Sequence, residues 1–163
     1  MLEENSPQLT DLLQQAQAAR LANQLDHAAR LLGAAFEKHP DALPVAKELA
    51  LLHQQRGEWP EARDCLELIL AQEPQNAQAL SALGVAWQAQ SDLPKAIECW
   101  QKAVSINPEY ADVWQNIALA HEHLNQLPEA IAAHQKAVTL RPQDSRAHRL
   151  LGMAQLDYSL LPA

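Results

Sequence analysis

Apolar residues recur along this chain at helical spacing, and residues 77–109 show the pattern most clearly. Between Leu80 and Trp87 the apolar side chains follow steps of three and four, which place them on one face of an α-helix. Asp92 interrupts the pattern and is a suitable N-cap for a second helix, whose facing stripe contains Trp100. Residues 77–109 therefore predict two antiparallel helices whose apolar sides cannot be buried within the pair alone.

The same hairpin recurs with a period of 34 residues over nearly the whole chain. Three columns of equivalent residues define this period: Ala28, Ala62, Ala96 and Ala130; Pro40, Pro74, Pro108 and Pro142; and Ala16, Ala50, Gly84, Ala118 and Gly152. The period predicts four complete repeats and a partial one, at residues 9–42, 43–76, 77–110, 111–144 and 145–163. With Ser6 as the first cap, it predicts helices at about residues 7–22, 25–38, 42–56, 60–72, 76–90, 94–106, 110–124, 128–140 and 145–158.

Large, small and proline positions in this order, repeated every 34 residues, resemble the tetratricopeptide repeat (TPR) family. The resemblance implies an all-α fold, a right-handed alpha-alpha superhelix (TPR solenoid) of four helical hairpins plus a C-terminal single helix. It also implies one domain over residues 1–163, in which each repeat packs only on its neighbours. In this family the first helix of each repeat lines a concave surface, so the resemblance implies a groove along those helices.

The side chains that the pattern directs into this groove are rich in amides. Amide groups both donate and accept hydrogen bonds, which suits an extended segment whose own backbone needs partners. Small side chains in the middle of the groove leave room for an apolar group of the ligand. We therefore predict a groove that binds a peptide or protein. The predicted groove residues are Gln17, Lys47, Gln54, Gln78, Ser81, Val85, Gln88, Gln115, Asn116, Leu119, His123, Arg146 and Arg149.

Two modes of ligand binding in the TPR family find only partial matches here. Some members clamp a C-terminal carboxylate with Lys, Arg and Asn at set places in three consecutive repeats. Lys47 matches the opening lysine, but Leu51, Ala82 and Asp112 stand where Asn, Asn and Lys would be needed. The asparagine ladder of glycosyltransferase-linked repeats is matched by Asn116 alone. The resemblance therefore predicts the kind of ligand and not its sequence.

The net charge of −8 argues against nucleic acid or an anionic membrane as the main partner. Residues 1–140 carry 9 Lys/Arg and 18 Asp/Glu (−9), whereas residues 141–163 carry three Arg and two Asp (+1). Arg146 and Arg149, beside Arg141, either hold an acidic group of the ligand or are solvated surface charges. The acidic start, which no long apolar run follows, predicts neither a signal peptide nor a membrane span, and a cytoplasmic protein is expected.

No pattern for catalysis, cofactor binding or metal binding accompanies the repeats, so a non-catalytic protein is predicted. Cys65 and Cys99 hold the same place in successive repeats, too far apart for a disulfide, and are expected to be free thiols. The tryptophans are expected in the core. His121, His134 and His148 take places that tryptophan holds in neighbouring repeats. They are expected to point into one inter-helix core, either as packing residues or as a pH-responsive cluster.

The partial repeat supplies a first helix and stops where its second helix should begin. Its leucines surround the helix, so some are expected to lie exposed, and homo-oligomerisation through this C-terminal helix is predicted as an option. The sequence itself is read either as a cut within a longer repeat protein or as a natural capping helix. A protein-interaction module is the favoured function. The alternatives are an N-terminal recognition domain of a larger enzyme (glycosyltransferase, sulfotransferase or methyltransferase type) and a self-assembling scaffold.

Overall fold

The computed structural model describes residues 7–160, which form nine α-helices and no strand. The helices are α1 (Pro7–Leu21), α2 (Leu25–Lys38), α3 (Leu43–Arg56), α4 (Trp59–Gln72), α5 (Ala77–Ala89), α6 (Leu93–Ile106), α7 (Ala111–His123), α8 (Leu127–Leu140) and α9 (Ser145–Ser159). All nine predicted helices are confirmed, with ends that differ from the prediction by at most one residue. The predicted cap at Ser6 lies outside the described residues.

The helices group into two compact units, residues 1–75 and residues 76–163. In the first unit α1 packs against α2 and α3, α2 packs against α3, and α3 packs against α4. In the second unit each helix from α5 to α9 packs against the next one along the chain. Neighbouring helices in sequence are therefore neighbours in space, as in stacked helical hairpins. The assignment of residues 1–163 to one domain stays a prediction.

Small residues occupy the positions where the two helices of a hairpin approach each other. The first alanine column is buried with no exposed area in any complete repeat: Ala28, Ala62, Ala96 and Ala130. In the third repeat the approach is closer still, because a Cβ atom added to Gly84 would overlap the indole ring of Trp100. The sequence places glycine where a bulky ring from the second helix leaves no room for a side chain.

Each turn within a complete hairpin contains one residue in the left-handed backbone region. These residues are Asn23, Gly57, Ser91 and Asn125, with φ of +59°, +71°, +64° and +57°. They lie 34 residues apart, so the turn is repeated as faithfully as the helices. Glycine adopts this conformation freely and asparagine tolerates it better than most residues do, which explains three of the four choices.

Polar side chains cap three helices of the second unit. The Asp92 carboxylate accepts a hydrogen bond from the Lys95 backbone N–H at 3.2 Å, which confirms the predicted N-cap of α6. The Lys95 ammonium also lies 2.9 Å from the same carboxylate, and these contacts lower the pKa of Asp92. Asn76 caps α5 and Asp144 caps α9 in the same way. Side-chain acceptors therefore satisfy N–H groups that have no partner within the helix.

Candidate functional site

The predicted groove residues all lie on the odd-numbered helices, the first helix of each repeat. Gln17 lies on α1; Lys47 and Gln54 on α3; Gln78, Ser81, Val85 and Gln88 on α5; Gln115, Asn116, Leu119 and His123 on α7; and Arg146 and Arg149 on α9. Three of these residues belong to the first unit and ten to the second.

In the first unit two ion pairs engage charged side chains of α1 and α3 within the chain. Arg20 on α1 contacts Glu48 on α3 with Nε and Oε2 3.2 Å apart, and only 10% and 18% of these side chains are exposed. Lys47, the match to the opening lysine of a carboxylate clamp, has its Nζ 2.9 Å from Oε1 of Glu73. A ligand carboxylate would therefore have to compete with a carboxylate that the protein already supplies to Lys47.

In the second unit α5 and α7 carry amide side chains without such partners. Gln78, Gln88, Gln115 and Asn116 form no side-chain hydrogen bond to any described residue. The last three are half-buried, and Nε2 of Gln115 is sealed from solvent without a partner. By contrast, Gln90 outside the predicted groove donates to a backbone carbonyl. Gln78, Gln88 and Asn116 therefore keep their amide groups available, whereas the Nε2 atom of Gln115 lies out of a ligand's reach.

Small and apolar side chains lie in the same helices as these amides. Ser81 and Val85 on α5 and Leu119 on α7 are half-buried. Met153 on α9 holds the position equivalent to Val85 and Leu119 in the 34-residue period, and its side chain is 52% exposed. His123 at the end of α7 is exposed. The second unit thus offers one apolar position on each of α5, α7 and α9, together with amides on α5 and α7.

One of the three arginines near the C-terminal end is engaged within the chain. The Arg141 guanidinium donates two hydrogen bonds to the Asp112 carboxylate, at 2.5 and 2.7 Å. This pairing raises the pKa of Arg141. Arg146 and Arg149 are exposed, and among the described residues the side chain of Arg149 hydrogen-bonds only the sulfur of Met153, at 4.0 Å. An acidic ligand group would therefore find two free guanidinium groups on α9, and not three in this region.

The prediction that three histidines share one core is wrong. His134 is completely buried, with Nε2 3.0 Å from Oε1 of Glu122, but His148 is exposed and His121 is half-buried. The Nδ1 atom of His121 contacts the side chain of Gln126 at 2.7 Å. His148 Nε2 contacts the Pro142 carbonyl at 3.0 Å. Each imidazole therefore has its own partner, and no cluster of three forms.

The tryptophans are also less uniformly buried than predicted. Trp100 is completely buried, whereas Trp59, Trp87 and Trp114 are half-buried. The ammonium group of Lys95 lies 4.2 Å from the centre of the Trp87 ring, a cation–π contact at the surface. Trp100 is thus the one tryptophan that fills the interior, and the other three cover its edges.

The remaining chemical predictions concern thiols, metals and membranes. Cys65 and Cys99 are free thiols, and burial raises the pKa of Cys65 to about 11, with the nearby Asp64 carboxylate adding to the effect. Such a thiol is mostly protonated at neutral pH and is a poor nucleophile. Within residues 7–160, no group of three or more His, Cys, Asp or Glu side chains is arranged to hold a metal ion. In the same range, no helix is both long enough and apolar enough to cross a membrane.

Comparison with known families identifies the class of this protein. Tetratricopeptide repeat profiles match residues 19–85 and 111–144, and a further TPR repeat profile matches residues 88–124. The chain belongs to the tetratricopeptide repeat family. No curated protein matches its sequence.

Solved structures of the MamA protein share this fold. One MamA crystal structure gives a TM-score of 0.88 at 22% identity and covers 94% of this chain and 84% of that chain. MamA 41-end from Desulfovibrio magneticus RS-1 gives 0.79 at 23% identity, with 88% and 80% covered. The first TPR of Spaghetti (RPAP3), bound to the HSP90 peptide SRMEEVD, gives 0.67 at 21% identity, with 72% and 93% covered. These likenesses establish the TPR fold.

Proposed function

We propose that this protein is a non-catalytic interaction module that binds an extended peptide or protein segment along α5, α7 and α9. The observation that carries the proposal is the set of unpartnered amides, Gln88, Gln115 and Asn116, half-buried on α5 and α7. An amide that is partly exposed and has no partner in the chain bonds water, which a ligand can displace.

The recognition chemistry follows from these side chains. An extended segment exposes backbone N–H and C=O groups, and amide side chains can satisfy both kinds of group. Ser81 leaves space between the helices, and Val85 and Leu119 offer apolar contact to a side chain of the ligand.

The helical setting favours binding at a modest entropic cost. Side chains on packed helices are already ordered, so association has to fix little beyond the ligand itself. Arg146 and Arg149 on α9 would favour a ligand with an acidic group near that end. The complex between the first TPR of Spaghetti and an HSP90 peptide supports peptide binding by this fold. In the first unit, Gln17 and Gln54 stay predicted groove residues.

The other functions predicted from the sequence are less supported. A recognition domain of a larger enzyme would use the same groove, so it differs in what the chain is attached to and not in the chemistry of binding. A cytoplasmic location stays a prediction. Self-association through α9 would use some of the same side chains, Arg146 and Arg149 among them, but does not require a peptide in the groove.

The test is an affinity pull-down that compares the unmodified protein with a Gln88→Ala/Asn116→Ala variant. Gln101→Ala/Gln135→Ala, on the exposed surface of α6 and α8, is the matched control because it removes the same number of amides. Segments of the captured proteins are then titrated by calorimetry. We expect the groove variant to bind roughly tenfold more weakly or worse, since each lost hydrogen bond contributes about 1 kcal/mol.

Two results would contradict the proposal. One is a set of partners that the groove variant and the unmodified protein retain equally. The other is an equal loss of partners in the control variant, which would show that amides anywhere on the surface are sufficient. Circular dichroism of all three proteins checks that the helices are intact.

A further inference from the structure

The last described helix, α9, carries a continuous exposed stripe with the spacing of a coiled-coil seam. The stripe consists of Arg146, Arg149, Met153 and Leu156 on α9 and of Leu160, the residue directly after the helix, separated by steps of three, four, three and four residues. The three apolar members have side chains that are 52%, 59% and 72% exposed. Steps of three and four are the a and d positions of a heptad, which in a coiled coil pack against a second helix.

The opposite face of α9 holds the helix in place. Ala147 and Ala154 are buried, and α9 packs against α8. The stripe is therefore a second face that no described residue covers. Beside it lies Gly152, where an added Cβ would meet nothing within 4 Å, whereas one at the equivalent Gly84 would overlap Trp100. An approaching helix thus meets no side chain at Gly152 and can come close.

The charges of α9 are arranged in a definite order along the helix. Arg146 and Arg149 lie in the N-terminal half and Asp157 in the C-terminal half, and all three are exposed. Two α9 helices side by side in parallel would place Arg149 against its own copy, and like charges repel. In the antiparallel arrangement the basic half of each helix meets the acidic half of the other. The surface is therefore complementary to itself, as a two-fold symmetric interface requires.

We propose that two copies of this chain associate through an antiparallel pairing of their α9 helices. Met153 of each copy packs against Leu156 of the other at the centre of the pair. The aliphatic stem of Arg149 lies across Leu160 of the second copy, and its guanidinium group reaches Asp157 there. The pairing stands independently of the peptide groove, although it covers the α9 end of it.

Sedimentation velocity over a range of concentrations tests the pairing. We expect a monomer–dimer equilibrium in the unmodified protein and a dissociation constant at least about tenfold higher in Leu156→Glu and Leu160→Glu, since each would bury a charge. Leu21→Glu is the matched control, because the side chains of Leu21 and Leu160 are both 72% exposed. This control should dimerise like the unmodified protein. Circular dichroism should report unchanged helix content in all variants.

Charge reversal tests the antiparallel direction. Arg149→Asp should weaken the dimer, and Arg149→Asp/Asp157→Arg should restore it, because the exchanged charges again face each other. A parallel pair would respond to neither change, since it would only replace one like-charge contact with another. A strict monomer at high concentration, a dimer that Leu156→Glu leaves intact, or a dimer that Leu21→Glu disrupts equally would each overturn the proposal. Leu156→Glu and Leu160→Glu change no predicted groove residue, so with these variants the groove can fail or succeed separately.

Discussion

The two units differ in the polar groups that occupy some equivalent positions of their odd-numbered helices. The first unit uses opposite charges that are already paired, Arg20 with Glu48 and Lys47 with Glu73. The second unit places uncharged amides at comparable positions and leaves them without partners. A paired charge stabilises the chain that contains it, whereas a free amide can serve a ligand. The same repeat can therefore be used for internal stability in one unit and for recognition in the other.

The cores of the two units differ at one column of the second helices. The first unit has Leu32 and Leu66 there, and the second has Trp100 and His134. Trp100 donates a hydrogen bond from Nε1 to the carbonyl of Ser81 at 3.1 Å. In the second unit Trp100 thus links the core to the backbone of α5, the helix that carries Gln78 and Gln88. The leucines of the first unit cannot form such a hydrogen bond.

The largest effect is expected from Gly84→Ala. The new methyl group would overlap the Trp100 ring, and because packed cores yield little, the free energy of unfolding should fall by about 3 kcal/mol. Gly152→Ala is the control in the same column. Its added methyl group meets no atom within 4 Å, and the free energy of unfolding should rise by about 0.5–1 kcal/mol, since alanine favours helix over glycine. Urea denaturation measures both changes, and equal stability of the two variants would contradict the close approach of α5 and α6.

A smaller effect is expected from removing the cation of each ion pair in the first unit. Arg20→Met keeps most of the side-chain stem but leaves the largely buried Glu48 carboxylate unpaired, which should cost about 2 kcal/mol. Lys47→Met breaks a pair whose side chains are 43% and 37% exposed, and should cost less than about 1 kcal/mol. Equal losses of stability in urea would contradict the expectation that the more buried ion pair contributes more to stability.

The helices and their small columns were predictable because they depend only on local periodicity. Ala28 and Ala62 are small residues at the crossing of two helices, and Asp92 is a hydrogen-bond acceptor at the start of a helix. Both features can be recognised in a short stretch of sequence. The pairing of Lys47 with Glu73 was not predictable, because the two residues meet only when α3 and α4 fold together and their side chains select a rotamer.

The histidines show that residues at equivalent places in the repeat can differ in burial. The exposed His148 repeats the hydrogen bond of Trp114, since each ring nitrogen bonds a proline carbonyl six residues earlier, at 3.0 Å in both cases. Equivalent places in the repeat therefore share a hydrogen-bonding partner here, and not the burial that we predicted from them. His53 and His121 likewise share a contact to the residue five positions later. A comparison of the repeats with one another could have found both contacts.

A change of about 1 kcal/mol is expected when His134 is replaced by the leucine that the first unit uses. His134→Leu removes a buried Nδ1 atom that no described residue satisfies, and it leaves Glu122, whose side chain is 27% exposed, able to bind water. The variant should therefore be more stable by about 1 kcal/mol. His134→Ala should instead lose at least about 1 kcal/mol because it leaves a cavity. A leucine variant as unstable as the alanine variant would show that the bond to Glu122 dominates.

The smallest effect concerns the left-handed turn residue, for which the first unit has Gly57 and the second has Ser91, with φ of +71° and +64°. Serine carries a Cβ atom that crowds the backbone in this region, whereas glycine does not. Ser91→Gly should therefore raise the free energy of unfolding, and Gly57→Ser should lower it. Each change should be somewhat less than about 1 kcal/mol. Because the turns hold equivalent places in their repeats, thermal unfolding of the double exchange should resemble that of the unmodified protein. A double variant that is clearly less stable would mean that the two turns are under different constraints, and the comparison between the units would then extend from their side chains to their backbones.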